Sequence, residues 1–243
     1  MMPDGYVDIH SHIIPGVDDG APSIEEAEQM LMKAYDQGIR VMYATPHCNS
    51  EKLTCDKTFL LEQYEKVKEI AARTGENGIE LILGNEIFYG HDIIGKIESG
   101  ECFTMGDTRF ILVEFQYNVR YNDLYTSLRR VVDAGYKPIL AHVERYACVY
   151  KGYRELDDLI SLGVLLQLSS ECVLKRFDRK SSFFIKLINK GYIHFLGTDC
   201  HSISWRAPVM HDAVTILRKK VPEYILDKIL YTNPDILKKD GFL

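Results

Sequence analysis

Short apolar runs and amphipathic stretches alternate along the chain. Runs rich in Val, Ile, Leu and Tyr occupy residues 7–14, 39–45, 79–83, 110–115, 137–141, 164–168 and 193–196, the length and composition of buried strands. Between them, apolar residues recur every three or four positions. That spacing predicts helices from the Ser23 cap to about residue 36 and over 57–73, 123–134, 153–162 and 181–189, then two short closing helices over 208–219 and 222–230. Ser23 and Glu26 form a capping box, and Gly38, Gly135, Gly163 and Gly191 stand where helices would stop. Strand-then-helix units thus follow one another about seven times without a linker or low-complexity segment. The expectation is one α/β domain over residues 1–243 with a parallel sheet.

The strands end in chemistry. Asp8-Ile9-His10-Ser11-His12 runs into Gly16-Val17-Asp18-Asp19-Gly20, and later strands end in Pro46-His47, Gly84-Asn85-Glu86, Glu114, His142-Val143-Glu144-Arg145 and Thr198-Asp199-Cys200-His201. Residues two apart on a strand share a face, so His10 and His12 pair as imidazoles, which are poor core material and good ligands for a divalent ion. The candidate metal set is His10, His12, Asp19, His47, Glu86, Glu114, His142, Asp199 and His201. Taken singly, a strand histidine is more often a satisfied structural residue, and a Glu near a strand end is usually solvated. Their joint placement where strand becomes loop, the face on which barrel enzymes carry their chemistry, points instead to a metal centre.

Nine candidates exceed the needs of one ion. Imidazole and carboxylate donors without thiolate suit Mn, Fe or Zn. Two or three ions, with Glu86 or another carboxylate as a bridge, would clamp the attacking and leaving oxygens of a phosphoryl displacement. Arg145 and Arg206 closely follow ligand segments and are candidates for binding phosphate oxygens, although either alone reads equally well as a surface ion pair. The other histidines, His91, His194 and His211, are assigned structural roles, with His194 expected to face the helix layer.

Composition narrows the field. The chain has 243 residues, 46% hydrophobic and 26% charged, the size and balance of a single barrel domain. Its net charge of −6 gives no footprint for nucleic acid. No apolar run is long enough to span a bilayer, and the first residues do not resemble a signal peptide, so the expected location is cytoplasmic. Cys48, Cys55, Cys102, Cys148, Cys172 and Cys200 form no C-x-x-C pair, which predicts reduced thiols.

These motifs, in this order and spacing, resemble the polymerase and histidinol phosphatase (PHP) superfamily. Within it they are similar to the bacterial manganese-dependent protein tyrosine phosphatases that accompany capsular and exopolysaccharide synthesis. The resemblance covers nearly the whole chain and is carried by the His10-to-Gly20 block, residues 44–47, 84–86, 142–145 and 198–201, and Arg206. It implies a distorted (β/α)7 TIM-like barrel and a trinuclear site, with manganese foremost and iron or zinc as alternatives. Carried over by position, His10, His12, Glu86 and Asp199 would hold one ion. Glu86, Glu114 and His142 would hold a second, and Asp19, His47 and His201 a third. Arg145 and Arg206 match the family's phosphate-binding arginines.

Val143 stands where relatives often have Pro, Phe88 and Tyr89 where they carry an Arg, and Cys200 where they have a small residue. The second departure bears on substrate preference rather than on metal binding. The implied reaction is hydrolysis of phosphotyrosine by a metal-activated hydroxide, with phenolate leaving and His47 or His201 available to assist. The implied partner is an autophosphorylating bacterial tyrosine kinase with a Tyr-rich tail.

Four rivals share some features. Cys148 to Arg154 and Cys200 to Arg206 have the Cys-x5-Arg spacing of thiolate phosphatases, but neither loop is Gly-rich and neither Arg is followed by Ser or Thr. A histidinol-phosphate phosphatase, or another small phosphoester hydrolase, would keep the site and change the substrate. An amidohydrolase would also open with His-x-His but commonly carries a Lys on the fourth strand, where Glu114 stands. A non-enzymatic metal-stabilised module would be expected to have lost part of the ligand set.

Overall fold

The computed structural model describes residues 5–49, 56–175 and 178–243; Cys55 lies outside them. Among the described residues, nine strand segments appear in chain order: β1 (Tyr6–Ser11), β2 (Ile39–Ala44), β3 (His47–Cys48), β4 (Glu80–Leu83), β5 (Glu86–Phe88), β6 (Phe110–Glu114), β7 (Lys137–Leu140), β8 (Leu165–Ser169) and β9 (Phe195–Gly197). The main helices are α1 (Ile24–Asp36), α2 (Lys57–Arg73), α3 (Ile93–Glu98), α4 (Tyr121–Asp133), α5 (Tyr153–Ser161), α6 (Arg179–Asn189) and α7 (Met210–Leu217). Two short pieces, α8 (Glu223–Asp227) and α9 (Asn233–Lys238), flank a π-turn at Lys228–Thr232.

All strand pairings are parallel, in the orders β1-β2-β4 and β3-β5-β6-β7-β8-β9. The two sheets are halves of one curled surface. Pro46, which has no N–H to give a ladder, separates β2 from β3, and Gly84-Asn85 separates β4 from β5. These breaks turn seven predicted strands into nine segments. The first and last strands meet through a parallel bridge between Ser11 and Cys200, with His12 N–H donating to the Cys200 carbonyl at 2.9 Å and Asp199 N–H to the His10 carbonyl at 2.8 Å. The result is the distorted seven-stave α/β barrel expected of this pattern.

The interior is filled by Val7, Ile9, Tyr43, Phe110, Leu112, Ile139, Leu165 and Phe195, which alternate with residues packed against the helix layer. On β6 that alternation carries directly to Glu114. β1 needs a further device, because Val7 and Ile9 face inward and strict alternation would turn His10 outward. Asp8 pairs with Met42 and Ser11 with Ala44, so three steps on β1 oppose two on β2. This one-residue bulge re-aims His10 and His12 into the barrel mouth. The Asp8 carboxylate receives the His10 N–H at 3.2 Å.

The cysteine expectation is corrected in part. Cys48, at the end of β3, and Cys102, beyond α3, form a disulfide with Cα atoms 6.1 Å apart. Their 54-residue separation hides the pair in sequence, and the fold brings them together. Helix α3 and the final α9 carry too little amphipathic pattern to be predicted. Among the described residues, no helix is long and apolar enough to cross a membrane.

Candidate metal centre

All nine sequence-derived candidates converge at the C-terminal mouth of the barrel. Glu86 is the hub. It enters on β5, in register with His47 of β3. One oxygen, Oε2, lies 3.4 Å from His10 Nε2, 3.2 Å from His12 Nε2 and 3.1 Å from His47 Nδ1. The other, Oε1, lies 2.6 Å from His142 Nε2. Glu114 reaches His47 Nδ1 at 3.2 Å and His142 Nε2 at 3.5 Å. Asp19, the exposed member at the rim, lies 3.2 Å from His47 Nε2 and 3.5 Å from His201 Nε2.

Donor atoms gather into three groups: His10, His12, Glu86 and Asp199; His12, Asp19, His47 and His201; and His47, Glu86 and Glu114. The first coincides with the division implied by the family resemblance. The second adds His12 to its expected members, and the third has His47 in the place of His142.

The donor set fits divalent cations. His10 Nε2 and His12 Nε2 are 3.2 Å apart, and both face Asp199 Oδ1, which is buried and has no hydrogen-bond partner among the described residues. Two ring nitrogens and carboxylate oxygens directed at one point make a ready coordination set for a divalent cation. Outer contacts select the tautomers. His12 Nδ1 lies 2.8 Å from Asp18 Oδ2, His10 Nδ1 3.2 Å from Gln167 Oε1, and His201 Nδ1 2.9 Å from the Asp199 carbonyl. With Nδ1–H donating in each case, Nε2 is left as the lone-pair ligand.

Charges without a metal follow from burial opposed by close partners. For Glu86, burial raises the pKa, but His10 and His142 hold it well below the usual carboxylate range. Asp199 is likewise held well below that range, against burial, by His10, His12, Arg145 and Arg206. Burial pulls His142 down, yet Glu86 and Glu114 lift it to about 9. Burial and the neighbouring His12 push His201 down to about 4.

Arg145 and Arg206 meet at this centre. Both guanidinium groups contact Asp199 Oδ2, and Arg206 Nη1 lies 3.0 Å from His201 Nε2. His142, Asp199 and Arg206 all take left-handed backbone conformations, with φ of 31°, 53° and 56°. Three such residues in one site mark a locally strained framework of the kind that collects at functional centres.

A model of the family described as "Capsular polysaccharide synthesis, CpsB/CapC" matches residues 6–238. The chain belongs to the CpsB/CapC family. It is 31% identical over 234 residues to the tyrosine-protein phosphatase CpsB of Streptococcus pneumoniae, covering 94% of this chain and 96% of that one. It is 27% identical over 238 residues to the tyrosine-protein phosphatase YwqE of Bacillus subtilis, covering 96% and 92%. A solved structure from the description of YwqE and CpsB as metal-dependent tyrosine phosphatases superposes with a TM-score of 0.87 at 24% identity, covering 98% and 96%. The fold extends to a phosphotriesterase from Mycobacterium tuberculosis, TM-score 0.60 at 14% identity, covering 98% and 96%.

Several residues of this CpsB/CapC site escaped the sequence reading. The buried Asp18 side chain accepts from His12 Nδ1, from His47 N–H at 2.9 Å and from Gly20 N–H at 2.9 Å, so it ties together two ligand segments and the loop between them. A Cβ on Gly20 would lie 2.2 Å from the His12 carbonyl, which explains the glycine after the two aspartates. Gln167 accepts from His142 N–H at 2.6 Å as well as facing His10. Asp8 receives both Thr198 N–H and its hydroxyl, bracing the segment that presents Asp199. Period-two alternation on β8 turns Gln167 inward together with Leu165 and Ser169, which the sequence can indicate; which residues Gln167 then holds, like the role of Asp18, needs the tertiary geometry.

The remaining histidines lie outside the cluster. His91 Nδ1 meets Arg130, His194 receives Leu166 N–H, and His211 packs near Tyr6. Cys200 is buried, which pushes its thiol up to about 12, and Arg154 is exposed while Cys148 is buried. Neither Cys-x5-Arg pair presents an accessible thiolate.

Proposed function

We propose that this chain is a metal-dependent protein tyrosine phosphatase that uses two or three divalent ions, manganese foremost. Its ligands are His10, His12, Asp19, His47, Glu86, Glu114, His142, Asp199 and His201. The single observation carrying this reading is the convergence of Arg145 and Arg206 on the Asp199 carboxylate, at the edge of that His and carboxylate cluster. The names of the relatives support it. The proposed setting is the cytoplasm, and the proposed substrate is an autophosphorylated bacterial tyrosine kinase with a Tyr-rich tail.

When bound, the ions would supply water activation and charge neutralisation. The protein's own part is geometric. Arg145 and Arg206 are held on Asp199, an anion already in place, so their donors are pre-aimed at the non-bridging oxygens of an entering phosphoryl group. Asp18 and Gln167 hold His12 and His10 in single orientations, and Glu86 spans four histidines, so the framework needs little reorganisation. A phenol with pKa about 10 leaves without a strong acid, so proton donation by His47 or His201 is secondary to their place in the ligand cluster.

The test is hydrolysis of a phosphotyrosyl peptide and of histidinol phosphate, each with chelator and after Mn²⁺ is restored. Mn²⁺-restored activity that favours the peptide is expected. A preference for histidinol phosphate would move the function to a small phosphoester, and activity that survives chelation would overturn the metal mechanism.

A further inference from the structure

The two arginines do not stand alone at the mouth. Trp205 is 61% exposed and Tyr117 is 50% exposed, and each ring touches one arginine and one histidine of the site. Trp205 stands edge-on to His201 with centroids 5.8 Å apart, and the Arg206 guanidinium lies 5.2 Å from its ring centre. Tyr117 stands edge-on to His142 at 6.2 Å, and the Arg145 guanidinium lies 5.9 Å from its ring centre while Nη1 donates to its hydroxyl at 3.2 Å. Because both arginines meet at Asp199 Oδ2, the anion site is bordered by an exposed aromatic ring on each guanidinium.

Large aromatic rings left in water beside a polar site are unspent binding surface. The turn that carries Trp205 is also braced. Trp205 N–H donates to Ser202 Oγ at 2.8 Å, Ser202 Oγ donates back to the Trp205 carbonyl at 2.8 Å, Ile203 N–H donates to Glu26 at 3.0 Å, and His201 N–H donates to the Arg206 carbonyl at 3.0 Å. A turn braced this way loses little backbone freedom on binding a ligand.

We propose that Trp205 and Tyr117 are specificity-determining residues that receive the aryl ring of the phosphoester, so that the site selects aryl over alkyl phosphates. The inference rests on the phosphatase reading and deepens it. A phosphate on an aromatic ring presents a flat apolar surface next to the dianion. The two arginines take the dianion, and the rings beside them offer edge-to-face and offset-stacked contact to the aryl group. A phosphorylated serine or a glycerol phosphate offers no such surface.

The experiment uses the Mn²⁺-loaded protein and compares phenyl phosphate with β-glycerophosphate. Trp205→Ala and Tyr117→Ala are each expected to lower the aryl-to-alkyl ratio of kcat/KM by about 3- to 10-fold, mainly through the aryl KM. Trp205→Phe and Tyr117→Phe should keep most of the ratio; for Tyr117 this separates the ring from its hydroxyl contact with Arg145. An equal fall for both substrates would assign the rings a structural role and overturn the proposal, as would an unchanged ratio.

Trp205 is the only tryptophan, so its emission gives a readout independent of turnover. A non-hydrolysable aryl phosphonate should change that emission, and an alkyl phosphonate of equal charge should not. The same change with both would overturn the proposal. If wild-type protein hydrolyses neither ester, the phosphatase reading fails, while the emission comparison still decides on the rings.

Discussion

Asp18 shows how much of the centre depends on one carboxylate that stands outside the three donor groups. It fixes the His12 ring and the backbone of His47 at once. Burial pushes its pKa up, yet His12 holds it below the usual range, so it remains an anion wherever His12 needs a partner. Replacing an outer partner of this kind typically costs 10- to 100-fold in metal affinity. Asp18→Asn, which keeps the shape and one acceptor, is therefore expected to bind Mn²⁺ about 10- to 100-fold more weakly with its fold intact. Titration calorimetry alongside circular dichroism checks this, and unchanged affinity would remove Asp18 from the site.

At the scale of elements, the site depends on irregularities. The bulge in β1 turns His10 and His12 inward, and the breaks at Pro46 and Gly84-Asn85 create two very short strands whose register sets His47 opposite Glu86. Such short strands gain little from their own ladders. Asn85 helps hold them, donating to the Pro46 carbonyl at 2.8 Å and accepting from Phe103 N–H at 2.7 Å. The Cys48–Cys102 bond anchors β3 to the same segment. Closing a loop of this length contributes about 2–4 kcal/mol by restricting the unfolded chain. Cys102→Ser should lower the unfolding temperature accordingly, and dithiothreitol should lower that of the wild-type protein by the same amount. If the variant and the reduced protein melt as the untreated protein does, the two thiols are unpaired in solution.

For the molecule as a whole, the centre concentrates buried carboxylates and imidazoles where the barrel closes, so stability and metal binding are linked. Mn²⁺ at 100 times its dissociation constant would add about 2.7 kcal/mol, a rise of about 5–10 °C in melting temperature for a chain of this size. The pH dependence has a definite sign. In the metal-free protein His142 has a pKa of about 9, above the unfolded value of about 6.5. Its protonation therefore contributes stability that is fully present below about 6.5 and is lost as pH rises through about 9. Metal ligation needs the neutral ring, so binding releases a proton at pH 7–8, and affinity rises with pH over the same window. Melting curves from pH 6 to 9.5 should fall for chelated protein and stay nearly flat with Mn²⁺. A flat chelated profile would show that His142 is not the charged partner of Glu86.

The local and periodic content of the chain determined a great deal. Alternating strand and helix patterns specified one α/β domain with a parallel sheet, and the strand-end motifs contained all nine candidate residues, because eight of them lie on or shortly beyond a strand whose direction is set by the repeating unit and Asp19 follows on the loop after β1. Cys48 and Cys102, Asp18 against His47, Gln167 beneath His10 and His142, and the exposed rings beside the arginines were decided only by the tertiary structure. These contacts join residues far apart in sequence or sit on irregular backbone, where no period exists to read. The bulge in β1 has the same standing. Whether two histidines two apart face the barrel or the helices depends on one extra residue in the ladder, and that residue is placed by its partner strand.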